Sequence, residues 1–245
     1  MKQHEAVIEA LRKAGGVAAL GDLYQKARNI PNCSWEGTKT PCESIRRIVR
    51  TRKEIFRIRP GLYGLTNMKA DLAERGFVEN AEYVRSPEQR RIQHNFCQGM
   101  LLEWGRLRGY ETFCPDQDKN HPYHNRKLKD VRTLRRIPSF THEAIVKKAG
   151  TVDVLWFNQR KMPAKFIEVE MTTNILVSLA KFCELQDFHA DMWIIAPEYR
   201  KMEFENKISM ESFRDIAKRV RFHSTDTVTR LYNDEVFRTK VGATA

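Results

Sequence analysis

Along the first part of the chain the apolar positions recur every three or four residues, and the first two runs end at a breaker. Val7, Ile8 and Leu11 predict a helix from His4 to Ala14, stopped by Gly15-Gly16. Leu20, Leu23, Tyr24 and Ala27 predict a second, short one that runs out before Pro31. A third starts at Lys39-Thr40-Pro41, where Thr40 can cap and Pro41 takes the first helical position. Its apolar face is Ile45, Ile48 and Val49, with Arg46, Arg47 and Arg50 on the opposite side. The period then drops to two: Ile55-Phe56-Arg57-Ile58-Arg59 alternates apolar and basic, turns at Pro60-Gly61, and returns as Leu62-Tyr63-Gly64-Leu65. Pro then Gly suits a type II turn, because Pro presets one φ and Gly supplies the positive φ that follows.

After a mixed-charge linker over residues 67–87 that contains a short helix, a long helix is expected from Ser86-Pro87-Glu88 to Arg108, ending at Gly109. Ile92, Phe96, Met100 and Leu107 form its stripe; Glu103 falls in the middle of that stripe, while His94 lies opposite and reads as a surface residue. Glu103 either turns along the helix end to an exposed partner or reaches a catalytic centre. Tyr110 to Pro115 is a first strand, followed by the polar stretch Asp116 to Pro138, read as a basic arm or a solvated loop. His121 and His124 within it read as surface residues, having no acid or cysteine nearby to complete a metal site. Two strands, Thr151 to Phe157 and Lys165 to Thr173, form a hairpin about the loop 158–163. A helix from Asn174 to Phe188, a strand from Met192 to Pro197, a helix from Met210 to Arg219, a strand from Val220 to His223 and a short helix from Thr227 to Asn233 complete the order. Helices flanking strands in this succession predict an α+β chain, its second domain an α/β sandwich on a mixed central sheet.

The chemistry concentrates in the acidic hairpin. Side chains alternate across a strand, so Phe166, Glu168 and Glu170 share one face and Ile167, Val169 and Met171 the other. The two glutamates then stand roughly 7 Å apart, and Asp153 on the paired strand can point at the same spot. Any one of these acids could be neutralised by a lysine or arginine at a sheet edge. Three converging on a buried face call for a cation, and hard oxygen donors suit magnesium.

Composition narrows the partners. Of 245 residues, 43 are Lys or Arg and 31 are Asp or Glu, a formal charge of +12. Residues 1–66 hold 13 basic and 6 acidic side chains, so +7 of that excess sits in about a quarter of the chain. Such a balance favours a polyanion, with nucleic acid ahead of an anionic membrane surface. No apolar run approaches the ~18 residues of a membrane helix, and no secretory leader is apparent. Five cysteines without C-x-x-C spacing argue against a disulfide framework or structural zinc, and a cytoplasmic protein is expected.

Two resemblances sharpen these expectations. Trp35, Lys39-Thr40-Pro41, Ser44-Ile45-Arg46 and Pro60-Gly61-Leu62-Tyr63-Gly64-Leu65 resemble the winged helix-turn-helix module often called HARE-HTH, found beside restriction nucleases and in chromatin proteins. It would place Lys39, Arg46, Arg47 and Arg50 of the third helix, and Arg57 and Arg59 of the wing, on double-stranded DNA. A winged helix that binds protein, its arginines merely solvated, is the competing reading. From about residue 88 to 233, an Asp in one strand followed by acid-x-acid in the next resembles the PD-(D/E)XK nuclease superfamily. Gln98-Gly99-Met100-Leu101-Leu102-Glu103, Gly109-Tyr110-Glu111-Thr112 and Glu168-Val169-Glu170-Met171-Thr172-Thr173 are similar to restriction-endonuclease-like proteins with the same layout.

That resemblance implies three segments: a DNA-binding domain over 1–66, a linker over 67–87 and a nuclease-like domain over 88–245. It implies Mg²⁺, replaceable by Mn²⁺, held by Asp153, Glu168 and the Val169 carbonyl, with Glu103 as an acid contributed by the first helix. Glu170 departs from the pattern, since most members carry lysine there. It would bind metal or act as the base, and Lys119 or Lys181 would supply the missing positive charge. A homodimer would let two sites cut two strands. The other reading is a DNA-binding regulator, or a subunit of a larger complex, whose nuclease-like domain no longer cuts.

Overall fold

The first helix stops at a pair of glycines, as the sequence leads one to expect. A computed structural model of the chain describes residues 1–35, 37–38, 40–79, 86–172 and 174–241, with the side chains of 240 and 241 excepted. Two compact units emerge: Met1–Ile92 joined by the stretch from Thr229 onward, and Gln93–Val228.

The first unit runs α1 (Gln3–Lys13), β1 (Val17–Ala19), α2 (Leu20–Lys26), α3 (Pro41–Thr51), β2 (Ile55–Arg59), β3 (Leu62–Leu65) and α4 (Lys69–Glu74). β1, too short to show a period, pairs antiparallel with β3, giving a three-stranded sheet in the order β1-β3-β2. The turn at Pro60-Gly61 forms as expected, with Gly61 at φ 79°. Ala6, Leu11, Leu23, Ile45 and Leu62 are buried between these helices and the sheet.

The second unit takes most of α5 (Pro87–Leu107), then β4 (Glu111–Phe113), β5 (Pro122–Tyr123), β6 (Arg126–Lys127), α6 (Glu143–Ala149), β7 (Val154–Phe157), β8 (Pro163–Val169), α7 (Ile175–Cys183), β9 (Asp191–Ala196), α8 (Lys201–Ile208), α9 (Arg214–Ala217) and β10 (Val220–Ser224). Its sheet is ordered β10-β9-β8-β7-β4: β4, β7 and β8 pair antiparallel, while β8, β9 and β10 run parallel. The mixed sheet is the predicted one. One face carries Leu155, Phe157 and Phe166 against Leu179 and Phe182 of α7. On the other, Trp156 meets Trp104 of α5 and Trp193 of β9 edge-on, and its indole N–H donates to the Leu101 carbonyl at 3.2 Å.

Three elements differ from the pattern reading. Residues 210–219 form a 3₁₀ turn and the short α9, and α8, absent from the expected order, precedes them. The last helix, α10 (Thr225–Val241), extends well past Asn233, and from Thr229 it belongs to the first unit. There Tyr232 donates to Asp22 Oδ1 at 2.7 Å, and Asn233 accepts from the Gly21 N–H at 2.7 Å while donating to the Gly61 carbonyl at 3.1 Å. The stretch 116–138 is not a free arm: it holds the β5-β6 hairpin and a 3₁₀ turn over Leu128–Asp130, with Tyr123, Leu128 and Val131 buried. Among the described residues no helix is long and apolar enough to cross a membrane.

Candidate active site

The acidic hairpin delivers its carboxylates to one place. Asp153 immediately precedes β7 and is half-buried; Oδ2 accepts the Val169 N–H at 2.8 Å, which clips it across to the end of β8. Glu168 and Glu170, two residues apart on that strand and its exit, are both buried. Ser178, one turn into α7, reaches both: its hydroxyl donates to Glu170 Oε1 and lies 3.3 Å from Glu168 Oε2. One side chain touching both glutamates places them on the same face, as strand alternation requires. Asn174 sets the start of α7 by accepting the Leu176 N–H at 3.1 Å, and so fixes where Ser178 and Lys181 fall.

Cations hold this cluster together. Lys181 Nζ lies 2.9 and 3.1 Å from the two Glu168 oxygens and also donates to the Thr151 carbonyl at 3.0 Å. His94 Nε2 sits 3.2 Å from Asp153 Oδ2. Arg200 donates to the Glu170 carbonyl at 2.7 Å and pairs with Glu203 at 2.9 Å. Gln98, fully buried on α5, donates from Nε2 to the Asp153 carbonyl at 2.7 Å and to Asp118 Oδ2 at 3.0 Å.

The electrostatics follow from burial. Glu168 is pushed well above the ordinary carboxylate range, first by desolvation and then by the Asp153 charge, with Lys181 pulling the other way. Glu170 is raised for the same first reason, opposed by the Ser178 hydrogen bond. Burial disfavours the His94 imidazolium, but its hydrogen bond to Asp153 and the charges of Asp153 and Asp118 prevail and raise it to about 9. Lys181 is likewise desolvated, yet Glu168 beside it raises it above its ordinary value. Lys181, His94 and Arg200 offset part of the acids' charge, and burial still leaves Glu168 and Glu170 raised.

A hard divalent ion would relieve that excess, so the donor set of Asp153, Glu168, Glu170 and the Val169 carbonyl fits one. Among the described residues no three His, Cys, Asp or Glu side chains already stand as a metal-holding group. Instead the carboxylates are engaged by Lys181, Ser178, His94 and the Val169 N–H.

Other sequence-predicted residues fall as follows. Glu103 is buried on α5, accepts from Tyr123 Oη at 3.0 Å and pairs with Arg126. Nine residues beyond His94, it lies roughly 13 Å further along the helix axis, so its partners are those of the hairpin. Lys119 pairs with Asp116 at 3.4 Å. His94, expected on the surface, stands at the cluster, because α5 buries side chains all round from Gln93 to Gly105 and leaves no solvent face opposite its stripe. His121 and His124 are half-buried: His121 Nδ1 is 3.7 Å from Asp118, and the His124 ring packs on Tyr123 and Phe96. In the first unit Arg47, Arg50 and Arg57 are exposed and Arg59 half-buried. Arg46 is half-buried, paired with Glu43 at 3.0 Å and laid over the Phe237 ring at 5.5 Å. Lys39 lies outside the described residues.

A family model described as the type II restriction enzyme NmeDI C-terminal domain matches residues 77–241. No curated protein and no solved structure matches the chain.

Proposed function

Because this chain belongs to the family of the type II restriction enzyme NmeDI C-terminal domain, we propose that it is a magnesium-dependent DNA endonuclease of the PD-(D/E)XK kind. In this reading Asp153, Glu168 and Glu170 form the cutting centre of the second unit. The observation that carries it is the convergence of those acids with Lys181 at 2.9 Å from Glu168. Glu170 occupies the position where the resemblance expects lysine, and α7 brings an ammonium to the same cluster from another element. This favours a working nuclease over a regulator that has lost its chemistry.

A bound magnesium ion would supply charge neutralisation at the scissile phosphate and a more acidic water. Asp153 and Glu168 would hold the ion, Asp153 being braced by the Val169 N–H. Glu170, raised above the ordinary carboxylate value by burial against the pull of the Ser178 hydrogen bond, is suited to act as base. Lys181 contributes positive charge beside the reacting phosphate. Substrate recognition by the first unit rests on its element order α1-β1-α2-α3-β2-β3 and its three-stranded sheet, which support the winged-helix reading. Exposed Arg47 and Arg50 on α3 and Arg57 on β2 would meet DNA phosphates.

The test is incubation of the purified chain with mixed-sequence plasmid DNA and Mg²⁺, beside Asp153→Ala and Lys181→Ala. The parent is expected to cut, Asp153→Ala to be inert, and Lys181→Ala to lose at least about a hundredfold in kcat while its DNA affinity falls by no more than about threefold. A parent that binds DNA and leaves it intact would sink the enzyme reading and leave the regulator.

A further inference from the structure

The stretch between β4 and α6 carries basic side chains that the cutting centre does not use, and it is anchored more firmly than a surface loop. Tyr123, beside the turn of the β5-β6 hairpin, is buried, its ring seated where Gly99 leaves a gap on α5. Tyr123 and Arg126 both end on Glu103. On the return side Leu128 is buried, its N–H donating to the His121 carbonyl at 3.0 Å, and the Lys129 N–H donates to the Lys119 carbonyl at 2.8 Å. Arg132, with a side chain only 6% exposed, closes the base by donating to the Cys114 carbonyl at 2.6 Å.

What this frame presents outward is polar and cationic. Asn120, Asn125, Lys127 and Lys129 are exposed around a shallow cleft of about 600 Å³. The acid of the cleft, Asp130, accepts the Lys127 backbone N–H at 3.0 Å. Neither Lys127 nor Lys129 forms an ion pair among the described residues. Two free ammonium groups and neutral amide donors on a rigid support suit a row of phosphates better than an apolar or cationic ligand. The location is also informative. Gln98 donates at once to Asp118, at the start of this stretch, and to the Asp153 carbonyl, so the hairpin's root and the cutting centre share one amide.

We propose that the β5-β6 hairpin is a phosphate clamp of the second unit, in which Lys127 and Lys129 grip the backbone of duplex DNA next to the position being cut. This rests on the nuclease reading above and extends it, adding a contact surface separate from the arginines of α3 and β2.

The test uses the full chain, a fluorescein-labelled 30-base-pair mixed-sequence duplex in EDTA, and KCl from 50 to 200 mM. Lys127→Ala with Lys129→Ala should weaken binding roughly five- to tenfold and lower the slope of log affinity against log salt by about 2, since each phosphate contact contributes about 0.9. Lys127→Arg with Lys129→Arg, which keeps the charge, should stay within about twofold of the parent. Parent-like affinity and salt slope in the alanine pair would overturn the clamp, as would weakening confined to a duplex RNA of the same length. Asp153→Ala separates the two ideas, since without that carboxylate it should bind the duplex in EDTA at least as tightly as the parent while failing to cut plasmid in Mg²⁺. A parent that does not cut removes the nuclease reading, and the clamp is then decided by the binding curves alone.

Discussion

At the scale of single residues the site is a set of charges held against their solvation preference, and pH reads this directly. His94 is raised from 6.5 to about 9, so the folded chain holds that proton more tightly than the unfolded chain. The stability it contributes is fully present below about pH 6.5 and is lost as pH rises through 9; the full shift corresponds to about 3 kcal/mol at most. Glu168 and Glu170 are also raised, and a raised carboxyl stabilises the fold while protonated and destabilises it once pH passes its ordinary value of 4.5. All three effects have the same sign. Thermal midpoints measured in EDTA should therefore fall steadily from pH 5 to pH 9, and His94→Ala should flatten the upper half of that curve. Glu168→Gln should raise the midpoint at pH 8, where the buried charge is removed, while abolishing cleavage. A midpoint for Glu168→Gln that drops at pH 8 would contradict the desolvation account. Asp153, Glu168 and Glu170 were legible in sequence because period-two alternation inside an apolar run leaves a buried acid conspicuous. Ser178 gave no such signal: a lone serine on an amphipathic helix is ordinary, and only the packing of α7 on β8 shows what it touches.

Among the elements, α5 departs most from its sequence pattern. An amphipathic reading assigns one stripe to the core and the rest to water, but from Gln93 to Gly105 this helix is covered on every side. Polar Gln93, Asn95 and Gln98 are buried along with the stripe. The available hint was the pair of glycines within the helix, which mark close approach rather than weakness. A Cβ on Gly99 would fall 2.3 Å from the Tyr123 ring, and one on Gly105 would fall 2.6 Å from Thr112 and 2.7 Å from the Trp156 indole. Gly99→Ala should destabilise by about 1–3 kcal/mol, because a buried aromatic ring has to move. Amide exchange should speed up in residues 121–131 before it does in β7 and β8. Uniform loss of protection across the sheet would mean that the hairpin is not a separately seated element. Strand order and the acidic hairpin were readable from β-branched and aromatic runs. β1 and α8 were not, the first being three residues long and the second a mixed-charge segment with no clear apolar stripe, in which Arg200 and Lys207 both pair with Glu203.

For the whole chain, the excess of +7 over residues 1–66 and the exposed arginines of α3 and β2 bear on DNA affinity. Arg47→Ala with Arg50→Ala should weaken duplex binding and reduce the salt slope by about 2. Arg46→Ala should act more through stability, because its guanidinium lies on Phe237 and pairs with Glu43. That aromatic partner belongs to α10, which joins the first unit from the far end of the sequence, a contact no local pattern could announce. Tyr232 and Val236 of that helix are fully buried, and Tyr232 and Asn233 serve Asp22, Gly21 and Gly61. A chain ending at Val228 would lack these partners and leave the buried carboxylate of Asp22 without the tyrosine hydroxyl it accepts. Tyr232→Phe alone should lower stability by about 1–3 kcal/mol through that oxygen. The truncation should go further and release amide protection in α2 and β3, together with duplex binding, while β7 and β8 keep theirs. Hydrogen exchange on the two variants decides it: protection in α2 that survives truncation would show that the first unit needs nothing from the C-terminal helix.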